Sequence, residues 1–71
     1  MIKIFEYEGM TVTFEFNMKH IGHGDHNVLM TEQYIAGKHG YDGSKSAMII
    51  TEQEAEARMA ELIKLGYTGS N

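Results

Sequence analysis

One stretch constrains the fold more than any other: residues 51–66, TEQEAEARMAELIKLG. It carries a helix start, a helix stop and one apolar arc. Thr51 and Glu54 stand at the Thr-x-x-Glu spacing of a capping box, so each side chain can satisfy a backbone N–H of the other residue. Glu52 and Glu54 put negative charge at the positive end of the helix dipole, and Lys64 puts positive charge at the negative end. Gly66 stands where helices commonly end on a residue with positive φ. At about 100° per residue, Ala55, Met59, Leu62, Ile63 and Leu65 share one arc. Glu54, Ala57, Ala60, Glu61 and Lys64 fall opposite, and this charged side is read as facing water. Glu54–Arg58 and Glu61–Lys64 have the spacing of helix ion pairs, each worth about 0.2–0.5 kcal/mol.

An amphipathic helix needs a surface to cover, and the first seventeen residues supply a sheet. IKIFEYE (2–8) and MTVTFEFN (10–17) read as two strands joined at Glu8-Gly9. The second alternates: Met10, Val12, Phe14 and Phe16 face one way, and Thr11, Thr13, Glu15 and Asn17 the other. The first does not alternate: Ile2 and Ile4 point to one face and Phe5 and Tyr7 to the opposite one, so either a bulge shifts the register or the strand is apolar on both faces. One helix covers one face, so a second apolar face calls for a second layer, which a homodimer would supply. Residues 28–36, VLMTEQYIA, fit a strand beginning near Val28 better than a short helix capped by Thr31. Residues 47–50, AMII, read as a buried strand just before the helix cap, and the tail YTGSN as frayed beyond Tyr67. The expected architecture is a single α+β domain over residues 1–71. It has a small antiparallel sheet, made of the N-terminal hairpin plus one or two strands, with the C-terminal helix packed on one face.

Composition narrows the function classes. A chain of 71 residues buries only about 60 % of the surface its unfolded form exposes. Without cysteine it has no disulfide or thiolate metal site to staple it. The sequence shows no signal-peptide pattern and no apolar run near the ~18 residues a membrane span needs. A cytoplasmic protein with no membrane contact is the expectation. The formal net charge of −4 argues against nucleic-acid binding, which draws on Lys and Arg to neutralise phosphate.

Two loops hold the residues that could carry chemistry. His20, His23, Asp25 and His26 lie within HIGHGDH, and three imidazoles and a carboxylate are the donors that zinc or another divalent metal prefers. The segment His23-Gly24-Asp25-His26 resembles the second half of the metallo-β-lactamase-fold motif, His-x-His-x-Asp-His. His20 stands one position too far upstream for that motif, and the chain is too short for that fold, so only the local chemistry carries over. The simpler reading is a solvated loop between two strands, with no cofactor. The second loop, GKHGYDGSKS (37–46), together with Tyr34, offers Lys38, His39, Tyr41, Asp42 and Lys45 as a partner-binding surface. Tyr34 and Tyr41 are its candidate anchors, since interfaces favour tyrosine. Tyr7, Phe14 and Phe16 read as core.

No catalytic set is legible. Ser44, Ser46 and Ser70 lie in loop or tail without the strand–turn–helix elbow of a nucleophile, and there is no cysteine. The sequence therefore reads as a non-enzymatic interaction protein, an inhibitor or adaptor that binds another protein. As a class, small acidic chains lacking Cys, Pro and a catalytic set fit phage- or mobile-element-encoded inhibitors of host defence. The alternative is a ligand-binding module, holding a divalent metal at the histidine loop or a small anionic molecule at a dimer cleft.

Overall fold

The computed structural model describes the chain except Lys19, Ile21, Lys38, His39 and Asn71 and the side chain of Ser70. Five strands form one antiparallel sheet: β1 (Ile2–Tyr7), β2 (Met10–Glu15), β3 (His26–Tyr34), β4 (Lys45–Thr51) and β5 (Thr68–Ser70). One helix, α1 (Glu52–Lys64), lies between β4 and β5 in the chain. The strand order is β4-β3-β2-β1-β5, so α1 crosses one face to carry the chain from one edge of the sheet to the other. This is the expected α+β fold, with a helix on one face of a small antiparallel sheet.

Local chemistry sets each boundary. Glu8 and Gly9 both have positive φ, 44° and 84°, the pairing that a two-residue type I′ turn demands. β1 and β2 then pair from Tyr7↔Met10 to Ile2↔Glu15. At the helix start the expected capping box is formed. The Thr51 hydroxyl accepts from the Glu54 N–H at 3.0 Å, and Glu54 Oε1 accepts from the Thr51 N–H at 3.0 Å. At the helix end Gly66 (φ 105°) donates to the Ile63 carbonyl and Tyr67 to that of Leu62, a Schellman motif.

The Glu54 carboxyl titrates below its ordinary 4.5, chiefly because the Thr51 backbone N–H bonds it. A depressed folded value means its contribution to stability is present above the unfolded value. It is lost as pH falls through the folded one. Glu54→Gln keeps an acceptor at this position but removes the titration. Thermal melts of native and variant should therefore differ most near neutral pH and converge below pH 4.5.

The core lies between the sheet and α1. Phe5, Val12, Phe14, Val28, Met30 and Ile50 from the sheet enclose Ala55, Met59 and Leu62 from the helix. Of the five residues on the helix arc, Ile63 and Leu65 are not in the core and are 61 % and 59 % exposed. Ile63 borders a cleft that Lys3, Phe5 and Gly69 also line. The charged face also pairs differently from its spacing. Arg58 bonds Glu61 on its own helix and reaches Glu32 on β3 at 3.2 Å, while Glu54 is held in the cap.

Three further expectations are corrected. The tail does not stop at Tyr67: β5 pairs with β1, with Phe5 opposite Gly69. A Cβ on Gly69 would lie 2.5 Å from the Phe5 ring, so the missing side chain lets this strand close over the core. β4 is not a buried strand. It forms the other edge of the sheet, and Met48 is 54 % exposed. Tyr7, read as core, is exposed.

The second apolar face is present in the structure. Register places Ile2, Glu15, Leu29 and Ile49 in one row on the side away from α1, beside Ile4, Thr13, Thr31 and Ala47 in the next. Ile2, Ile4 and Ala47 are exposed on this side, and Leu29 and Ile49 are half-buried.

Candidate functional site

The clearest feature of the surface is a row of tyrosines across one end of the sheet. The β1–β2 register pairs Tyr7 with Met10, and the β2–β3 register pairs Met10 with Tyr34. Facing residues of paired strands project from the same side, so these three side chains stand together on the helix side. Tyr67, just past the Schellman turn, joins at one end, with its ring 5.3 Å from that of Tyr7. Its hydroxyl donates to Met10 Sδ at 3.0 Å. Burial pushes the Tyr67 hydroxyl above its ordinary value of 10.0, so it stays a donor at neutral pH. Tyr41 joins at the other end, its ring 4.7 Å from that of Tyr34 at 62°. All four tyrosines of the chain thus line one band.

The β3–β4 connection that presents Tyr41 is held by its own backbone. Gly37 donates to the Tyr41 carbonyl and Tyr34 to that of Ser44, both at 3.0 Å. Asp42 Oδ1 accepts from the Ser44 N–H at 2.9 Å, an Asx turn, and this bond holds the Asp42 carboxyl below its ordinary value. Of the expected partner-binding set, Tyr34 and Tyr41 are in ring contact and Asp42 lies in the same connection, whereas Lys45, opposite Gln33, projects from the other side of the sheet. Lys38 and His39 lie outside the described residues. Tyr34 and Tyr41 are half-buried against each other rather than free anchors. The sequence reading missed Tyr67 and the part played by Tyr7. The signal was present in the strand alternation, since Tyr7 is in phase with Phe5 and Met10 with Phe14.

The histidine loop has a different outcome. His23 and His26 exchange both backbone hydrogen bonds, at 3.1 and 2.9 Å, around a turn at Gly24-Asp25. Asp25 Oδ1 lies 3.0 Å from His26 Nδ1. His20, His23, Asp25 and His26 are all exposed. Among the described residues no three His, Asp or Glu side chains converge on a point that could hold a metal ion. The glycines serve the backbone. A Cβ on Gly22 would lie 1.9 Å from the His26 carbonyl oxygen, so the two chain segments approach only because that side chain is absent.

Among the described residues, one cleft lies beside α1 and another along β4. The larger, about 510 Å³, is lined by Lys3, Phe5, Glu56, Met59, Ile63, Tyr67 and Gly69. Lys3 and Glu56 bring one charge of each sign, so this cleft has no cationic surplus for an anionic ligand. The smaller, about 240 Å³, lies along β4 between Met30, Glu32, Ser46, Ala47 and Met48. Among the described residues no helix is long and apolar enough to cross a membrane. No protein-family model, curated protein or solved structure matches the chain.

Proposed function

We propose that this chain is a non-enzymatic interaction protein, an inhibitor or adaptor, that grips another protein through its tyrosine band. The observation that carries the reading is the alignment of Tyr67, Tyr7, Met10, Tyr34 and Tyr41 along one end of the sheet. Tyrosine offers a large apolar surface and a polar tip at low entropic cost, which is why it is enriched at interfaces. A rigid sheet keeps the rings in place before binding, so less freedom is lost on association. Asp42, in the connection that carries Tyr41, adds a polar group of the kind that rims an interface. Homodimerisation and a cytoplasmic setting belong to the same reading, as does an anti-defence inhibitor of the kind mobile elements carry.

Partner capture from host lysate tests it, with native bait beside Tyr7→Ala and Tyr41→Ala baits. A protein retained by the native chain should bind both variants about tenfold or more weaker, while their thermal melts stay close to native. Equal capture by all three baits would exclude the band as the binding surface. If Tyr41→Ala unfolds the domain, Tyr41 is structural and the band is shorter than proposed.

A further inference from the structure

We propose that β4 is a self-pairing edge, and that two copies of this chain join β4 to β4 in an antiparallel, two-fold ladder. The argument starts from which way its backbone points. The Tyr34 N–H donates to the Ser44 carbonyl, and the Ile35 N–H donates to the Gly9 carbonyl on the other side of β3. In an antiparallel pair, bonded residues recur at every second position. Within the β3–β4 register, the bonded pairs are then Glu32/Ser46, Met30/Met48 and Val28/Ile50. The N–H and C=O groups of Lys45, Ala47 and Ile49 face outward, away from β3.

Edges of this kind are usually blunted by proline, by a central charge, by a bulge or by shortness. β5, the opposite edge, is three residues long. β4 has seven residues, Lys45–Thr51, with no proline, and its single charge is at one end. The register irregularity with β3 lies at His26/Val28, beside the far end. The five central residues are therefore uncharged and free of proline, and their outward backbone groups lie on the sheet edge.

The strand is also complementary to itself. Centred on Met48, a two-fold ladder sets Ala47 opposite the partner's Ile49, Ser46 opposite the partner's Ile50 and Lys45 opposite the partner's Thr51. Each small residue meets a large one, and Lys45 comes beside the partner's Glu52, the first residue of α1. Ala47 and Ile49 form the hydrogen-bonded pairs, using the outward groups. Met48 meets the partner's Met48 at a non-bonded position, where facing Cα atoms are about 4.5 Å apart. Met48 faces the helix side, because it opposes Met30, and it is exposed. Pairing would merge the two β4 clefts and cover both methionines. An isologous contact of this kind closes at two copies. Stacking through the open sheet face is the weaker route, since it would trap Glu15 within the Ile2–Leu29–Ile49 row, where a buried, unpaired carboxylate is costly.

Sedimentation equilibrium of the purified native chain, at tens of micromolar, should give twice the chain mass; a single-chain mass overturns the pairing. Ala47→Pro removes an outward donor and no β3 bond, a position where edge strands accept proline. It should keep native circular dichroism and raise the dimer dissociation constant at least about tenfold. A folded Ala47→Pro with an unchanged dimer overturns the proposal. If that variant unfolds, Met48→Lys decides, because it sets two ammonium groups together at the two-fold axis. It should be monomeric, and an unchanged dimer again overturns the pairing. The experiment uses purified protein alone, so its failure is separable from failure of partner capture by the tyrosine band.

Discussion

Phe14→Ala is expected to cost about 3–5 kcal/mol and to leave little folded protein at ambient temperature. Phe14 is fully buried, and it packs edge-on against Phe5 with ring centroids 5.8 Å apart. Truncation removes the transfer energy of the ring and leaves a void that β2, held by a strand on each side, cannot collapse to fill. At about 0.05–0.15 kcal/mol per residue, a chain of 71 residues has about 4–11 kcal/mol in total. One such substitution is thus comparable with the whole stability. Urea unfolding followed by circular dichroism checks it. Ile63→Ala is the matched control: the residue is largely exposed, so its loss should stay within about 0.5 kcal/mol. Equal losses at the two positions would mean that Ile63 lies in the core, as the helix arc alone implies.

Gly66→Val should have the next largest effect, about 1–2 kcal/mol from the backbone alone. Gly66 sits at φ 105°, where a β-branched residue is a genuine outlier and the left-handed region carries a penalty of that size. A Cβ there would also come within 3.3 Å of Tyr7 Cε1. The cost should appear locally as well as globally. This turn aims Tyr67 at Met10 and leads the chain into β5. The Phe16 N–H donates to the Met1 carbonyl, so at every second position β1 bonds β2, and the groups of Ile4 and Glu6 face β5. The variant should lose amide protection at Ile4 and Glu6 before the β2–β3 ladder opens. Hydrogen exchange separates the two. Uniform loss of protection would mean that β5 is not an independent closing element.

These two residues differ in how much of their role is visible without coordinates. Phe14 lies in a strand whose alternation is clean, so its inward direction follows from the period of a β-strand. The capping box at Thr51 and Glu54, the stop at Gly66 and the turn at Glu8-Gly9 are equally legible. Each depends on residues within four positions of one another and on backbone preferences that act locally. The strand over residues 28–36 was less legible, because its alternation is poor and a helix capped by Thr31 competed with it; pairing with β2 and β4 makes it a strand, from His26 to Tyr34.

What the sequence could not decide was anything set by area and by strand order. Ile63 and Leu65 lie on the apolar arc, yet only Ala55, Met59 and Leu62 are buried, because a single helix of thirteen residues covers part of a five-stranded sheet. AMII is apolar enough for a core strand. It became an edge because the chain leaves β4 into α1, and the next strand pairs with β1 on the far side. The tail has no strand signal of its own; β5 forms because the free edge of β1 needs partners and Gly69 leaves room for Phe5. The tyrosines are scattered over positions 7, 34, 41 and 67 of the sequence. Only the register of β1, β2 and β3, together with the Schellman turn, lines them up. The chain by itself determined its local elements, because caps, turns and alternation are short-range physics. The surfaces it offers to partners were decided by tertiary structure, because coverage and adjacency depend on where distant segments are brought side by side.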